Sequence, residues 1–401
     1  MRLLITTVAL CATLGVAARA PGQQTNLTRA QAMQTALNRG ARVAVAAADT
    51  AVASAQVVAA RVFPDPSFAA SYSKAVPTQH YSLDIPIEFP GVRQPRSQSA
   101  QYELQAARVR FHLARANVVL DADTTYTRAI AARERLALSR RNALDGDSLL
   151  HMVERRRAAG DASDMDVELA RVNAGQQQNT AAADSLTLIS SLLDLQAALG
   201  ISSVALEVAA VDSLEMPPEA RIPAQTTLSE NAANLSLTAA TLAVRFQRRS
   251  IFSTPSISVG FEHGDTSQPG ILPTFGLGLS LPFFNRNRGQ ILVAEAEKIR
   301  AQAELAVAQI EARNQIAHAL RERENALAKV ARDRQLITSA DHVAAMSLTA
   351  YREGAASLPV ILEAQRTARD VRGQYIDDLA AAWIATAELR VLSLTPTTQL
   401  P

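Results

Sequence analysis

Histidines, a cysteine and scattered carboxylates are the side chains of this 401-residue chain that could hold a metal or drive a reaction. His80, His112, His151, His263, His318 and His342 stand far apart. None has a second His or a Cys at the short spacing that puts ligands on one helical face. They read as helix-surface or loop residues. The single cysteine, Cys11, has no partner for a disulfide. No phosphate-binding loop and no nucleophile elbow occurs, and Gly276-x-Gly278 precedes no phosphate-binding turn. The sequence thus offers no catalysis, no cofactor and no metal site.

Two turns do repeat. Gly160-Asp161-Ala162-Ser163 and Gly354-Ala355-Ala356-Ser357 match in their Gly and Ser. Glycine permits a tight turn and close approach, and serine caps the helix that follows.

Long helical patterns position these turns. Ser97 to about Ala158 contains no Pro and, apart from Gly146, no Gly. A helix of that length is about 90 Å long, a rod in a bundle or coiled coil and too long for a compact domain. A helix from Asp164 to Leu199 follows the first turn. A Pro-rich connector spans 201–225, with a short strand expected at Val204 to Val208. Ahead of the rod, Leu27 to Val62 reads as one helix capped by Thr28 and ended by Pro64 and Pro66.

Between helices lie stretches of strict alternation. Tyr81, Leu83, Ile85, Ile87 and Phe89 alternate with Ser82, Asp84, Pro86 and Glu88. Phe275, Leu277, Leu279, Leu281 and Phe283 alternate with Gly276, Gly278, Ser280 and Pro282. Shorter runs precede each, at Phe68 to Ser73 and Ile257 to Glu262. Period two means a strand with one apolar face and one polar or small face. These runs predict two hairpins, 67–89 and 256–283, and four strands.

The plan occurs twice: helix, hairpin, long helix, tight turn, helix. The second copy runs from Thr227 through a long helix at 290–352 to a last helix at 358–394, with a period of about 190 residues, too long for a solenoid. The organisation is then a signal peptide at 1–20, a first repeat at 21–200, a connector at 201–225, a second repeat at 226–395 and a tail at 396–401.

The N-terminus reads as an export signal: Arg2, an apolar run to Val16, then small residues with cleavage near Ala17, Ala18 or Ala20. Bulky Leu10 argues against Cys11 as a lipidated N-terminus. No later stretch has the ~20 uninterrupted apolar residues of a spanning helix. A net charge of +2 with no basic block excludes a nucleic-acid surface. Aromatics make up only 4%, so alanine supplies much of the apolar content and favours close helix packing.

A sheet with one apolar face in lipid must close, because lipid satisfies no free strand edge. Membrane barrels begin at about eight strands, and this chain offers four. It must therefore share a barrel with other copies, two giving eight strands and three giving twelve. Gly, Ser, Asp and Glu would line the inside. The competing reading is a soluble sandwich, which leaves the rods unexplained.

Three stretches carry a family resemblance: Leu281-Pro282-Phe283-Phe284-Asn285-Arg286-Asn287-Arg288-Gly289, Glu88-Phe89-Pro90-Gly91-Val92-Arg93, and Tyr351-Arg352-Glu353-Gly354-Ala355-Ala356-Ser357. Here the chain resembles the TolC-like outer-membrane efflux proteins, over essentially its whole mature length. The Pro-Gly-x-Arg and Asn-Arg-Asn runs are similar to the heavy-metal, CzcC-type branch. The resemblance implies an α+β membrane protein: a homotrimer with a twelve-stranded β-barrel in outer-membrane lipid, continued by an α-helical periplasmic tunnel. It implies a passive exit duct, working with an inner-membrane pump and a periplasmic adaptor and carrying heavy-metal cations. It implies that the adaptor docks at the tip turns, on Arg157, Gly160, Ala162 and Ser163 and on Arg352, Gly354, Ala355 and Ser357. It implies an acidic gate at Asp166, Glu168 and Glu363; Val360 stands where the family's best-known member has an acid, so the ring is sparser here. The alternatives are the same duct serving drug or type I protein export, and a periplasmic helical-hairpin adaptor or structural protein.

Overall fold

The computed structural model describes residues 25–203, 205–220, 226–251, 254–268, 270–279 and 281–394. The expected signal peptide with Cys11, the expected tail, Val204, the end of the connector and Ser280 lie outside them.

Two rods dominate. The first, α3 (Arg93–Ala158), has 66 residues. The second, α6 (Arg288–Arg352), has 65. Each is about 98 Å long. Shorter helices lie along each rod. The first half of α3 meets α2 (Ala41–Arg61), its middle meets α1 (Arg29–Arg39), and its second half meets α4 (Asp164–Ala198). In the same way α6 meets α5 (Leu228–Arg249) and then α7 (Leu358–Leu392). Contacts of α3 with α5 and α7 join the halves.

The seams are built from alanine. Buried residues on α6 include Ala294 and Ala301, then Ala312, Ala319 and Ala326. Spacing by seven keeps one face toward a partner helix and winds the helices around each other left-handedly. Small side chains let the axes approach closely.

Local signals set most helix ends. Thr28, Ser163 and Thr227 each close a capping box, with Gln31, Asp166 and Glu230. Two boundaries differ from expectation. The first helix breaks at Gly40, where a Cβ would lie 2.6 Å from the Ala36 carbonyl oxygen and 3.5 Å from Val118; the backbone there is extended, so α1 and α2 are separate helices. The rod α3 starts at Arg93, ahead of the expected Ser97, and takes Pro95 into its first turn, where the missing N–H has no intrahelical acceptor to lose.

The four expected strands form one antiparallel sheet: β2 (Ser67–Tyr72), β3 (Gln79–Pro86), β5 (Ser256–His263) and β6 (Leu272–Gly278), ordered β2-β3-β5-β6. The register aligns the apolar residues across all four, with Phe68 opposite Leu83, Leu83 opposite Val259, and Val259 opposite Phe275. Tyr81 stacks on Phe261 with ring centroids 4.8 Å apart. This face is open, with Phe275 81% and Leu277 76% exposed. An eight-residue strand is about 26 Å long, close to the apolar band of an outer-membrane barrel. Paired positions run to Pro86 and Gly278, with one further bond from the Ile87 N–H to the Pro255 carbonyl at 2.7 Å, while the alternation in the sequence carries on toward Phe89 and Phe283. Among the described residues, the outer edges of β2 and β6 pair with no strand.

A two-stranded parallel ribbon was not foreseen: β1 (Thr25–Leu27) pairs with β4 (Val208–Ala210). The connector strand thus sits later than the expected 204–208. Tyr126 on α3 ties the ribbon down, its hydroxyl donating to the Leu27 carbonyl at 2.8 Å and lying 3.0 Å from Asp212. Arg133 donates to the carbonyls of Ala210 and Asp212, both at 2.6 Å. The connector is thereby strapped across the helices at mid-length.

The chain exposes 24905 Å². A compact monomer of this size exposes about 15,000 Å². Much of the excess is apolar: Val45, Val52 and Val58 of α2 are all more than half exposed. By length and composition α2 is apolar enough to cross a membrane, yet little of it is buried.

Candidate functional site

At the far end of the rods the two turns have the same backbone. The Gly160 N–H bonds the Arg157 carbonyl at 3.0 Å, and the Asp161 N–H bonds that of Arg156 at 2.8 Å. At the second turn, Gly354 bonds Tyr351 at 3.0 Å and Ala355 bonds Ala350 at 2.8 Å. Both are Schellman endings, which need a left-handed residue after the helix. Gly160 has φ +89° and Gly354 φ +78°. No atom lies within 4 Å of where a Cβ would sit on either glycine, so both turns face open space.

A shared core holds the turns together. Leu149 and Val153 of α3, Val167 of α4, Tyr351 of α6, and Leu358 and Ile361 of α7 form one buried cluster. Arg156 links the repeats: its guanidinium donates to the Tyr351 carbonyl and lies 4.5 Å from that ring's centroid. The Tyr351 hydroxyl is buried with no hydrogen-bond partner. Burial pushes its pKa up; nearby Arg156 opposes this and the charge of Asp166 adds to it. Sequence reasoning gave Arg156 and Tyr351 no role. The only local trace was Tyr351 within the second turn's motif.

The expected docking residues all lie at or beside the turns. Arg157 pairs with Asp164 at 2.6 Å. Ser163 accepts from the Asp166 N–H at 3.1 Å. Ser357 occupies the corresponding cap position of α7 without a side-chain cap bond. Arg352, Gly354 and Ala355 are exposed and Ala162 is half-buried.

The three expected gate acids differ in freedom. Asp166 accepts from the Ser163 N–H at 3.0 Å and its hydroxyl at 2.8 Å, so capping occupies it. Glu168 pairs with Arg171 at 2.5 Å. Glu363 has no ionic partner among the described residues. It borders a cavity of about 550 Å³ between α6 and α7, with Leu336, Val343 and Val360, and also a cleft between α4 and α7.

At the other end, the second face of the sheet is polar. His80 sits in β3 opposite Glu262, with Nδ1 3.1 Å from the carboxylate. The Ser258 hydroxyl donates to Asp84. His80 was expected in a loop or on a helix; its place in the polar register of the alternation puts it on this face instead. No group of three or more His, Cys, Asp or Glu that could hold a metal occurs among the described residues.

A sheet with one lipid-compatible face and one polar face, mounted on paired rods that end in exposed turns, defines a channel-type membrane protein. Residues 32–201 and 231–393 match the family model described as outer membrane efflux protein. The chain belongs to the outer membrane efflux protein family, an outer-membrane channel family and not an enzyme family. It is 23% identical over 375 residues to the cobalt-zinc-cadmium resistance protein CzcC of Cupriavidus metallidurans, covering 90% of this chain and 89% of that protein. It is 27% identical over 331 residues to the pyoverdine export outer membrane protein OpmQ of Pseudomonas aeruginosa, covering 78% and 66%. Among solved structures, the Campylobacter jejuni CmeC outer membrane channel matches with a TM-score of 0.78 at 14% identity, covering 100% of this chain and 95% of that one. The chain thus acts in efflux at the outer membrane, with its helical part in the periplasm.

Proposed function

We propose that three copies of this chain close one twelve-stranded barrel and continue it as a helical tunnel, forming the exit duct of a tripartite efflux system. One observation carries this: an open four-stranded sheet with an apolar face and two unpaired edges. In lipid those edges must pair, and copies of the same sheet are the available partners. Two copies would make eight strands, whose interior side chains fill. Three leave a lumen, lined by His80, Asp84 and Glu262. The aligned apolar register across all four strands then faces lipid.

An inner-membrane pump and a periplasmic adaptor complete the system. The adaptor docks on the exposed turns, at Arg157, Gly160, Ala162 and Ser163 and at Arg352, Gly354, Ala355 and Ser357. Of the gate acids Asp166, Glu168 and Glu363, Glu363 carries the largest share, because among the described residues its carboxylate has no ionic partner. A ring of carboxylates at a constriction attracts and holds cations.

The cargo is heavy-metal cations. Support comes from the match to CzcC across nine-tenths of both chains. A second reading, an organic cargo, is favoured by the match to a pyoverdine export protein. Deleting the gene and comparing growth on zinc, cobalt and cadmium with growth on lipophilic drugs separates them. Sensitivity to metals alone supports the first reading, and sensitivity to drugs alone replaces it with the second.

A further inference from the structure

The chain crosses between sheet and rods four times, and arginine marks every crossing. Arg61 ends α2, Arg93 starts α3, Arg249 ends α5, and Arg286 and Arg288 flank the start of α6. All five are exposed. Among the described residues, no carboxylate pairs with any of them. The nearby Arg96 and Arg248 differ, being paired with Glu88 and Glu295. The opposite rim, at the hairpin loops, has no such excess: Lys74 stands there with Asp265.

We propose that this arginine collar binds the anionic phospholipid headgroups of the inner leaflet of the outer membrane. The inference rests on the outer-membrane barrel reading above and adds a ligand to its periplasmic rim.

The motif residues around the collar build it. In Asn285-Arg286-Asn287-Arg288 the asparagines are spent on the backbone. The Asn285 side chain accepts from the Asn287 N–H at 3.0 Å, and the Asn287 amide donates to the Gln247 carbonyl at 2.9 Å. The two arginines are left pointing out. In Pro90-Gly91-Val92-Arg93, Gly91 sits at φ +86° and its carbonyl accepts from Arg249 at 2.9 Å. A Cβ on Gly91 would stand 3.0 Å from that guanidinium. Arg93 is held over the ring of Phe63 at 4.0 Å while donating to the Arg61 carbonyl at 2.8 Å. Arg249 and Arg93 are thus fixed in place with N–H groups to spare.

Charge and position agree on the ligand. Arg93 and Arg288 stand at helix starts, where the helix dipole disfavours a cation. Neither helix has an acid in its first turn to offset this. The collar is continuous with the lipid-facing strands, and exposed Phe63, Phe283 and Phe284 lie in the same segments, as aromatic side chains do at the headgroup level. Basic residues at this depth meet phosphates, and guanidinium groups pair with them in bidentate fashion.

The test uses the assembled full chain in detergent, with bound lipid counted by native mass spectrometry. Wild type should retain phosphatidylglycerol over phosphatidylcholine by about tenfold or more. The triple variant Arg61→Gln, Arg286→Gln, Arg288→Gln should lose that preference, and the same three changed to Lys should keep most of it. Undiminished preference in the Gln variant would overturn the proposal. So would occupation of the collar by inorganic phosphate as tightly as by phosphatidylglycerol. Conductance in planar bilayers is recorded in parallel. Loss of conductance in wild type would sink the channel reading alone, and lipid preference reads the collar alone.

Discussion

Asp333 on α6 and Asp378 on α7 face each other inside the second rod pair, both more than nine-tenths buried, and each has one carboxylate oxygen with no hydrogen-bond partner. Lys329 stands 3.5 Å from Asp378. Arg332 lies on the same helix, and Asp377 beside the pair is bound by Arg135 of α3 at 2.7 Å.

Burial, then the neighbouring Asp378, push the Asp333 carboxyl above its ordinary value, against the opposing pull of Arg332 and Lys329. A carboxyl raised in the folded state favours folding while protonated. Its contribution is full below the ordinary carboxyl range and is lost as pH rises through the raised value. The joint between α6 and α7 should therefore loosen from acid toward neutral pH. Asp333→Asn, which keeps a donor and removes the charge, should flatten that trend. Melting of the purified assembly at pH 5 and pH 8 checks it: wild type should lose more stability between the two than the variant.

The left-handed backbone of Gly354 makes a bulky residue cost about 1–2 kcal/mol locally, too little to unfold a rod of this length. Gly354→Leu should assemble normally yet abolish export, because its side chain enters the open space an adaptor would occupy. Gly354→Asn, which tolerates this conformation, should separate the turn from the docking surface. Gel mobility of the assembly with a metal-sensitivity assay reads both; normal export by the Leu variant would remove the docking role.

Removing the unpaired hydroxyl in Tyr351→Phe should be neutral or stabilise by about 1 kcal/mol, since the ring's contact with Arg156 survives. Tyr351→Ala should cost about 3–5 kcal/mol through the cavity it leaves. Limited proteolysis at the turns distinguishes them, with early cleavage only in the Ala variant.

Glu363→Gln should lower cation selectivity in single-channel recordings. Asp166→Asn should change selectivity less, and instead cost about 1 kcal/mol by weakening the cap of α4. Equal selectivity in wild type and the Glu363 variant would count against a carboxylate gate.

The sheet was legible because period two is written in contrasting residues, Phe and Leu against Gly and Ser. Its ends were not, because the apolar alternation outruns the paired positions and carries on to Phe89 and Phe283. Asp166 as a cap partner was also local information, a Ser followed three residues later by an acid. The break at Gly40 lies where a Cβ would crowd the Ala36 carbonyl oxygen at 2.6 Å, and an isolated Gly within a helical pattern does not by itself mark a break. The ribbon of Thr25–Leu27 with Val208–Ala210 is too short to leave a periodicity. Arg156 with Tyr351, and Asp333 with Asp378, join separate helices, and no spacing rule within one helix reports them. The turns were therefore readable, and what fastens them to each other was not.

The surface of this chain, far larger than a compact protein of its length would show, has a consequence for how its stability is defined. Valines along α2 and the edges of β2 and β6 stay uncovered in one copy, so in the proposed trimer folding and association would be a single equilibrium. Dilution then acts on this protein as heat acts on a globular one. On the proposed three-copy barrel, a single copy would stay incomplete until it met two others, and assembly would follow the cube of supply.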